Sequence, residues 1–305
     1  MPWLQLHLYS DANSAEKIED ALLEVGANAV TFQDSADQPI LEPALGETPL
    51  WNETKITGLF DAEISTLDTY NDILNLIQSN PTGNVNNTSI VRHKWEQLED
   101  KDWIREWMES YHPIQCGEKL WICPSWKSPP DPQAVNVMLD PGLAFGTGTH
   151  PTTLLCLQWL AKQKVDALTV VDYGCGSGIL AIAALLMDAS FVNAIDIDPQ
   201  ALLATKDNAE RNHISDESID VFLPEQFNDG SEKKHDIVFA NILAGPLVEL
   251  APILTALTKP GGKICLSGIL DSQAQKVISA YEKDFEFEPI SEQEHWVQLA
   301  ASRRG

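Results

Sequence analysis

Positive charge is what this sequence has least of. Lys and Arg number 20 against 45 Asp and Glu, a formal net charge of −25. A chain so acidic repels a phosphate backbone, so no direct nucleic-acid partner is expected. The same field attracts a cationic macromolecule, although solubility alone is the simpler account of it. Cysteine is scarce as well. Cys116, Cys123, Cys156, Cys175 and Cys265 are odd in number and lack a close metal-type pair, so neither a disulfide framework nor a metal site is expected. No apolar run is long enough for a bilayer. The opening residues Met1 to His7 alternate apolar and polar without a basic stretch, which reads as a strand and not as a signal peptide. The expectation is a cytoplasmic, monomeric protein with no membrane association.

At 305 residues the chain has room for two domains. The first ninety or so residues read as β-α-β-β-α-β. Strand Trp3 to Tyr9 precedes a helix from Ser14 to Val25 closed by Gly26. Strands follow at Ala29 to Phe32 and Lys55 to Asp61, then a helix from Thr66 to Gln78 and a fourth strand at Ser89 to Arg92. That order is ferredoxin-like. Trp95, Leu98, Trp103 and Trp107 then recur at roughly helical spacing in a charged stretch, which predicts a linker helix. Strands at Lys119 to Cys123 and Val135 to Leu139 lead into a region where strands and helices alternate from about residue 150. Two final strands, Phe285 to Ile290 and Trp296 to Ala301, have no helix between them and predict an antiparallel hairpin at a sheet edge. The expected domains are therefore 1–93, a linker helix over 94–118, and 119–305. The fold class is α/β: a Rossmann-like domain with an antiparallel C-terminal hairpin, preceded by a smaller α+β ferredoxin-like domain.

The central motif is Val170-Val171-Asp172-Tyr173-Gly174-Cys175-Gly176-Ser177-Gly178, a buried strand running into glycines and then into a helix. Glycine permits positive φ and lets backbone approach a ligand where a Cβ would collide. Asp196 ends the next strand, where a carboxylate can accept both hydroxyls of a ribose. The pair predicts an adenosine-bearing ligand; the alternative is two ordinary βα turns. A dinucleotide site wants a third glycine where Ile179 stands, and this loop has neither Lys nor Arg. Asp172, just before the glycines, would repel a pyrophosphate and suit an ammonium. S-adenosyl-L-methionine carries that ammonium together with a ribose and adenine, and a reversed edge strand fits a methyltransferase. Gly174, Gly176, Gly178, Asp172 and Asp196 are the expected cofactor contacts.

Two further stretches border that site. Leu139 to Thr153 leads into a helix from Leu154 to Lys162 and reads as a loop folding over a ligand. Thr152 or Thr153 either caps the helix or reaches the cofactor. His150 is read as structural, because methyl transfer to an amine needs no strong base. Asn241, in Ala240-Asn241-Ile242-Leu243-Ala244, ends the fourth strand of this domain. Its carbonyl can accept from a substrate N–H. No aromatic follows it, which argues against a flat base and leaves room for an aliphatic amine.

These stretches together resemble the ribosomal protein L11 methyltransferases, the PrmA family. The resemblance rests on Phe145 to Thr153, Asp172 to Ala181, Asp196 to Pro199 and Ala240 to Leu247, and spans residues 120 to 300 most closely. It implies a class I S-adenosylmethionine-dependent enzyme that methylates lysine side chains and the N-terminal α-amine of a basic ribosomal protein. It also implies that the N-terminal domain recognises that substrate, and that cofactor contacts fall on Thr153, Gly174, Asp196 and Asn241. The loop at 33–54 and the acidic insertion near Asn228 to Lys234 are where this chain could differ. The competing readings are a methyltransferase for RNA or a small molecule, and a non-catalytic adenosine-binding protein.

Overall fold

The computed structural model describes residues 3–38, 40, 49–79, 90–98, 108, 111–140, 148–227 and 234–305. They form two compact units, Met1–Glu106 and Trp107–Gly305. No helix among the described residues is long and apolar enough to cross a membrane.

In the first unit β1 (Trp3–Asp11), β2 (Ala29–Asp34), β3 (Glu53–Asp61) and β4 (Arg92–Leu98) form an antiparallel sheet ordered β2-β3-β1-β4, the ferredoxin-like order. Helices Ala12–Glu24 and Thr66–Ser79 supply the other layer. The first begins where the Asp11 carboxylate accepts from Ser14 N at 2.9 Å, and ends into Gly26 at φ +94°. Ile18, Leu22 and Ile73 from the helices bury against Leu6, Leu8, Ile56 and Phe60 from the sheet.

The linker helix is corrected by β4. Residues 94–98 are strand, because β1 needs a partner along its second edge and finds it in the register Tyr9↔Arg92 to Trp3↔Leu98. Trp95 turns inward onto Phe60 at 5.7 Å between ring centroids. The three-residue step to Leu98, taken for helical spacing, places the two side chains on opposite faces of a strand. The expected fourth strand at 89–92 thus starts three residues later. Residues 99–107, with Trp103 and Trp107, lie outside the described residues, and Ile114–Gly117 within the expected linker is a strand, β5.

In the second unit β5, β6 (Leu120–Cys123) and β7 (Val135–Met138) make a small sheet. The main sheet contains β8 (Thr169–Tyr173), β9 (Phe191–Ile195), β10 (Ile219–Phe222), β11 (His235–Asn241), β12 (Thr258–Leu270), β13 (Phe285–Phe287), β14 (Ser291–Gln293) and β15 (Trp296–Arg303). Its order is β10-β9-β8-β11-β12-β15-β13, with β14 paired to β15. Strands β8 to β12 are parallel, and β15 runs antiparallel between β12 and β13. The hairpin is present, with one difference: β15 is interior and β13 forms the edge. Trp296 to Ala301 is buried throughout, as a strand flanked on both sides must be. From β8 the chain winds outward through β9 and β10, then returns to β11 on the other side. The crevice at the carboxyl ends of β8 and β11 is where such sheets bind ligands.

Candidate functional site

The turn after β8 is held open by backbone geometry. Gly174, Gly176 and Gly178 have φ of +82°, +55° and +77°. A Cβ on Gly178 would lie 2.7 Å from Thr205 Cγ2, so the glycine also lets helix Ile179–Leu186 pack onto helix Pro199–Arg211. The amides of Gly174 and Cys175 both donate to Ile195 O, at 2.7 and 3.0 Å, which ties the turn to the end of β9. Asp196 follows directly. Its Oδ2 accepts from Gly176 N at 2.9 Å and its Oδ1 from Asp198 N at 3.0 Å. The glycine turn and the strand-end carboxylate named from sequence are therefore in direct contact.

Thr205 and Asn208 complete the turn and were missed from sequence. Thr205 Oγ1 donates to Gly176 O at 3.1 Å and Asn208 Nδ2 to Ser177 O at 2.9 Å. The available signal was two polar residues three apart on the buried face of an otherwise ordinary amphipathic helix.

Asp172 lies beneath the turn, only 1% exposed. One oxygen accepts from Ala181 N at 3.1 Å, near the start of helix Ile179–Leu186, and the other, Oδ1, is buried without a partner among the described residues. Burial pushes its carboxyl up to about 7, and the nearby Asp196 charge adds to the effect.

Across the crevice, Asn241 ends β11. Its Nδ2 donates to Thr153 Oγ1 at 3.2 Å, and its Oδ1 is buried without a partner among the described residues. Thr153 is itself buried and belongs to helix Pro151–Leu160. Neither Thr152 nor Thr153 caps that helix, which starts three residues earlier than expected. His150 is the cap, its Nδ1 accepting from Thr152 N at 3.4 Å and paired with Thr152 Oγ1 at 2.8 Å. It lies edge-on to Trp296, with ring centroids 5.1 Å apart, and burial holds its pKa below the ordinary imidazole value against the opposing charge of Glu294. A structural role is expected for His150, and the helix cap is a contact of that kind. Phe145 to Thr147, in the loop before it, lie outside the described residues, as do 228–233 of the acidic insertion.

Two unpaired buried acceptors, a turn of positive-φ glycines and a carboxylate facing it suit a ligand with an ammonium and a ribose. Comparison with known proteins agrees. The model of a family described as ribosomal protein L11 methyltransferase (PrmA) matches residues 2–304. A protein of that name from Cellvibrio japonicus (strain Ueda107) is 57% identical over 301 residues, covering 99% of this chain and 98% of its own length. One from Escherichia coli (strain K12 / DH10B) is 52% identical over 303 residues, covering 99% and 100%. Among solved structures, the ribosomal protein L11 methylase from Lactobacillus delbrueckii subsp. bulgaricus superimposes with a TM-score of 0.58 at 36% identity, covering 64% of this chain and all of that one.

Proposed function

Because the chain belongs to the ribosomal protein L11 methyltransferase family, we propose that it N-methylates lysine side chains and the N-terminal α-amine of that ribosomal protein. The enzyme is S-adenosylmethionine-dependent. The observation that carries the substrate reading is the Asn241 carbonyl oxygen, buried at the end of β11 and without a partner among the described residues. A buried acceptor left unpaired costs free energy, so its persistence beside the crevice suits an incoming N–H donor.

When bound, the cofactor supplies an electrophilic methyl group on a sulfonium. Asp196 would accept from the ribose hydroxyls while its contact with Gly176 N keeps the turn in place, and Asp172 would face the ammonium. Gly174, Gly176 and Gly178 would let backbone close on the ligand. The amine must arrive neutral. For a lysine near pKa 10.4, losing its proton at neutral pH costs roughly 4 to 5 kcal/mol, and a dry pocket lowers that cost by disfavouring the charged form. Asn241, its amide nitrogen committed to Thr153, would direct its carbonyl at the neutral amine and hold the lone pair in line. No base is required beyond the solvent that takes the proton. The acidic surface suits a cationic protein substrate, with the N-terminal unit recognising it.

Labelled S-adenosylmethionine incubated with separated cell fractions tests the assignment. Label is expected in a basic ribosomal protein, at lysines and the N-terminus by mass spectrometry. Label confined to RNA or metabolites would overturn it.

Asp172 adds a pH dependence. With burial raising its carboxyl to about 7, the neutral form gains as pH falls through that range, and the ligand's ammonium favours the charged form. Cofactor affinity should fall as pH drops below about 7, by up to about tenfold per unit, and level off above it. Asp172→Asn should flatten the profile. Calorimetric titrations between pH 5.5 and 8 check this, and an equally steep profile in the variant would count against the role.

A further inference from the structure

Ile242, the residue after Asn241, is wedged between Gly174, just past the end of β8, and Gly268 of β12, the two strands flanking β11. On one side its Cγ2 occupies the space a Cβ on Gly174 would fill. On the other, Gly268 of β12 has φ +82°, and a Cβ there would overlap the Ile242 carbonyl oxygen and lie 2.7 Å from its carbon and 3.1 Å from its nitrogen. These are backbone atoms, which no rotamer change can move aside. Gly268 sits in a β-bulge: pairing with β15 jumps from Leu266↔Leu299 to Ile269↔Val297, so Ser267 and Gly268 together face one residue, Gln298. Ser267 is fully buried and its Oγ donates to Val297 O at 3.0 Å, pinning the bulge. Ser267 is also the register partner of Asn241 in the parallel ladder.

We propose that the Ser267–Gly268 bulge is a positioning element for methyl transfer, seating the Ile242 backbone so that the Asn241 carbonyl holds its aim. Gly268 and Ser267 touch neither substrate nor cofactor in this account; they act through Ile242. The inference deepens the amine-methylating role given to Asn241 and rests on it. Bulges beside active sites commonly re-aim a side chain in this way.

Gly268→Asn is the informative variant. Asparagine tolerates positive φ, so what remains is the overlap of its Cβ with the Ile242 backbone. A displacement of about 1 Å at Asn241 is expected to lower kcat about 100-fold while the KM for cofactor changes by less than about tenfold, because the Gly176–Asp196 contact is made in the turns after β8 and β9 and Ile242 meets the glycine turn only at Gly174. Ser267→Ala, which removes only the pin, should lower kcat about fivefold with the fold preserved. In both variants the Asn241 side-chain amide signals, read by NMR on the free protein, should shift away from their hydrogen-bonded position. Unchanged kcat and unchanged amide signals in a folded Gly268→Asn protein would overturn the proposal. If that variant does not fold, the same result in Ser267→Ala would overturn it. The amide signals need neither cofactor nor substrate, so a failure of the unaltered protein to methylate L11 would count against the proposed function alone.

Discussion

Replacing Asn241 by alanine is expected to lower turnover about 1000-fold while weakening cofactor binding less than tenfold. The asymmetry follows from where its two polar atoms go. Nδ2 is committed to Thr153 Oγ1, and Oδ1 is a buried acceptor with no partner among the described residues. An acceptor held in place before the amine arrives costs no reorganisation when it is used. Losing one such preorganised group typically costs 100- to 1000-fold. The upper end applies here because the alanine variant also leaves the Thr153 hydroxyl without its donor, about 4 kcal/mol altogether. Asn241→Asp keeps an acceptor but loses the donor to Thr153, and should fall between alanine and the unaltered enzyme. Single-turnover measurements with labelled cofactor separate chemistry from binding. A variant retaining more than a tenth of the rate would mean that something else aims the amine.

Much of this site was legible in the sequence, because each part is a short local pattern. Gly174 to Gly178 between a buried strand and an apolar helix admits few conformations, and Asp196 ends the next strand of a βαβ unit, so a parallel sheet brings the two together. Other parts depend on distant pairing. The helix read over 94–98 became strand because an edge of β1 was free, which no local spacing encodes. The partner of Thr153 is 88 residues away at Asn241, so cap and contact could not be told apart until His150 was seen to occupy the cap. Gly268 shows the same limit. In sequence it is one glycine in a hydrophobic strand, and its positive φ and the approach of Ile242 from the end of the neighbouring strand, which explain why a side chain cannot stand there, are not encoded locally.

Asp196→Ala should reduce cofactor affinity about 1000-fold and leave the fold intact. A carboxylate accepting from two ribose hydroxyls makes two charge-assisted hydrogen bonds, each worth about 1.5 to 3 kcal/mol, and a loss of roughly 4 kcal/mol corresponds to that factor. The contact with Gly176 N adds to the effect, since the variant removes one of the three hydrogen bonds that tie the turn to the end of β9, the others being those of Gly174 N and Cys175 N to Ile195 O. Asp198→Ala is the control. Asp198 is exposed and caps helix Pro199–Arg211 by accepting from Gln200 N at 2.9 Å. Its loss should cost about 1 kcal/mol of stability and little affinity. Isothermal titration with S-adenosylmethionine, paired with denaturant melts, reads both quantities. If Asp196→Ala bound the cofactor as tightly as the unaltered protein, the ribose would have to be held elsewhere, and the contact between Asp196 and the glycine turn would be purely structural.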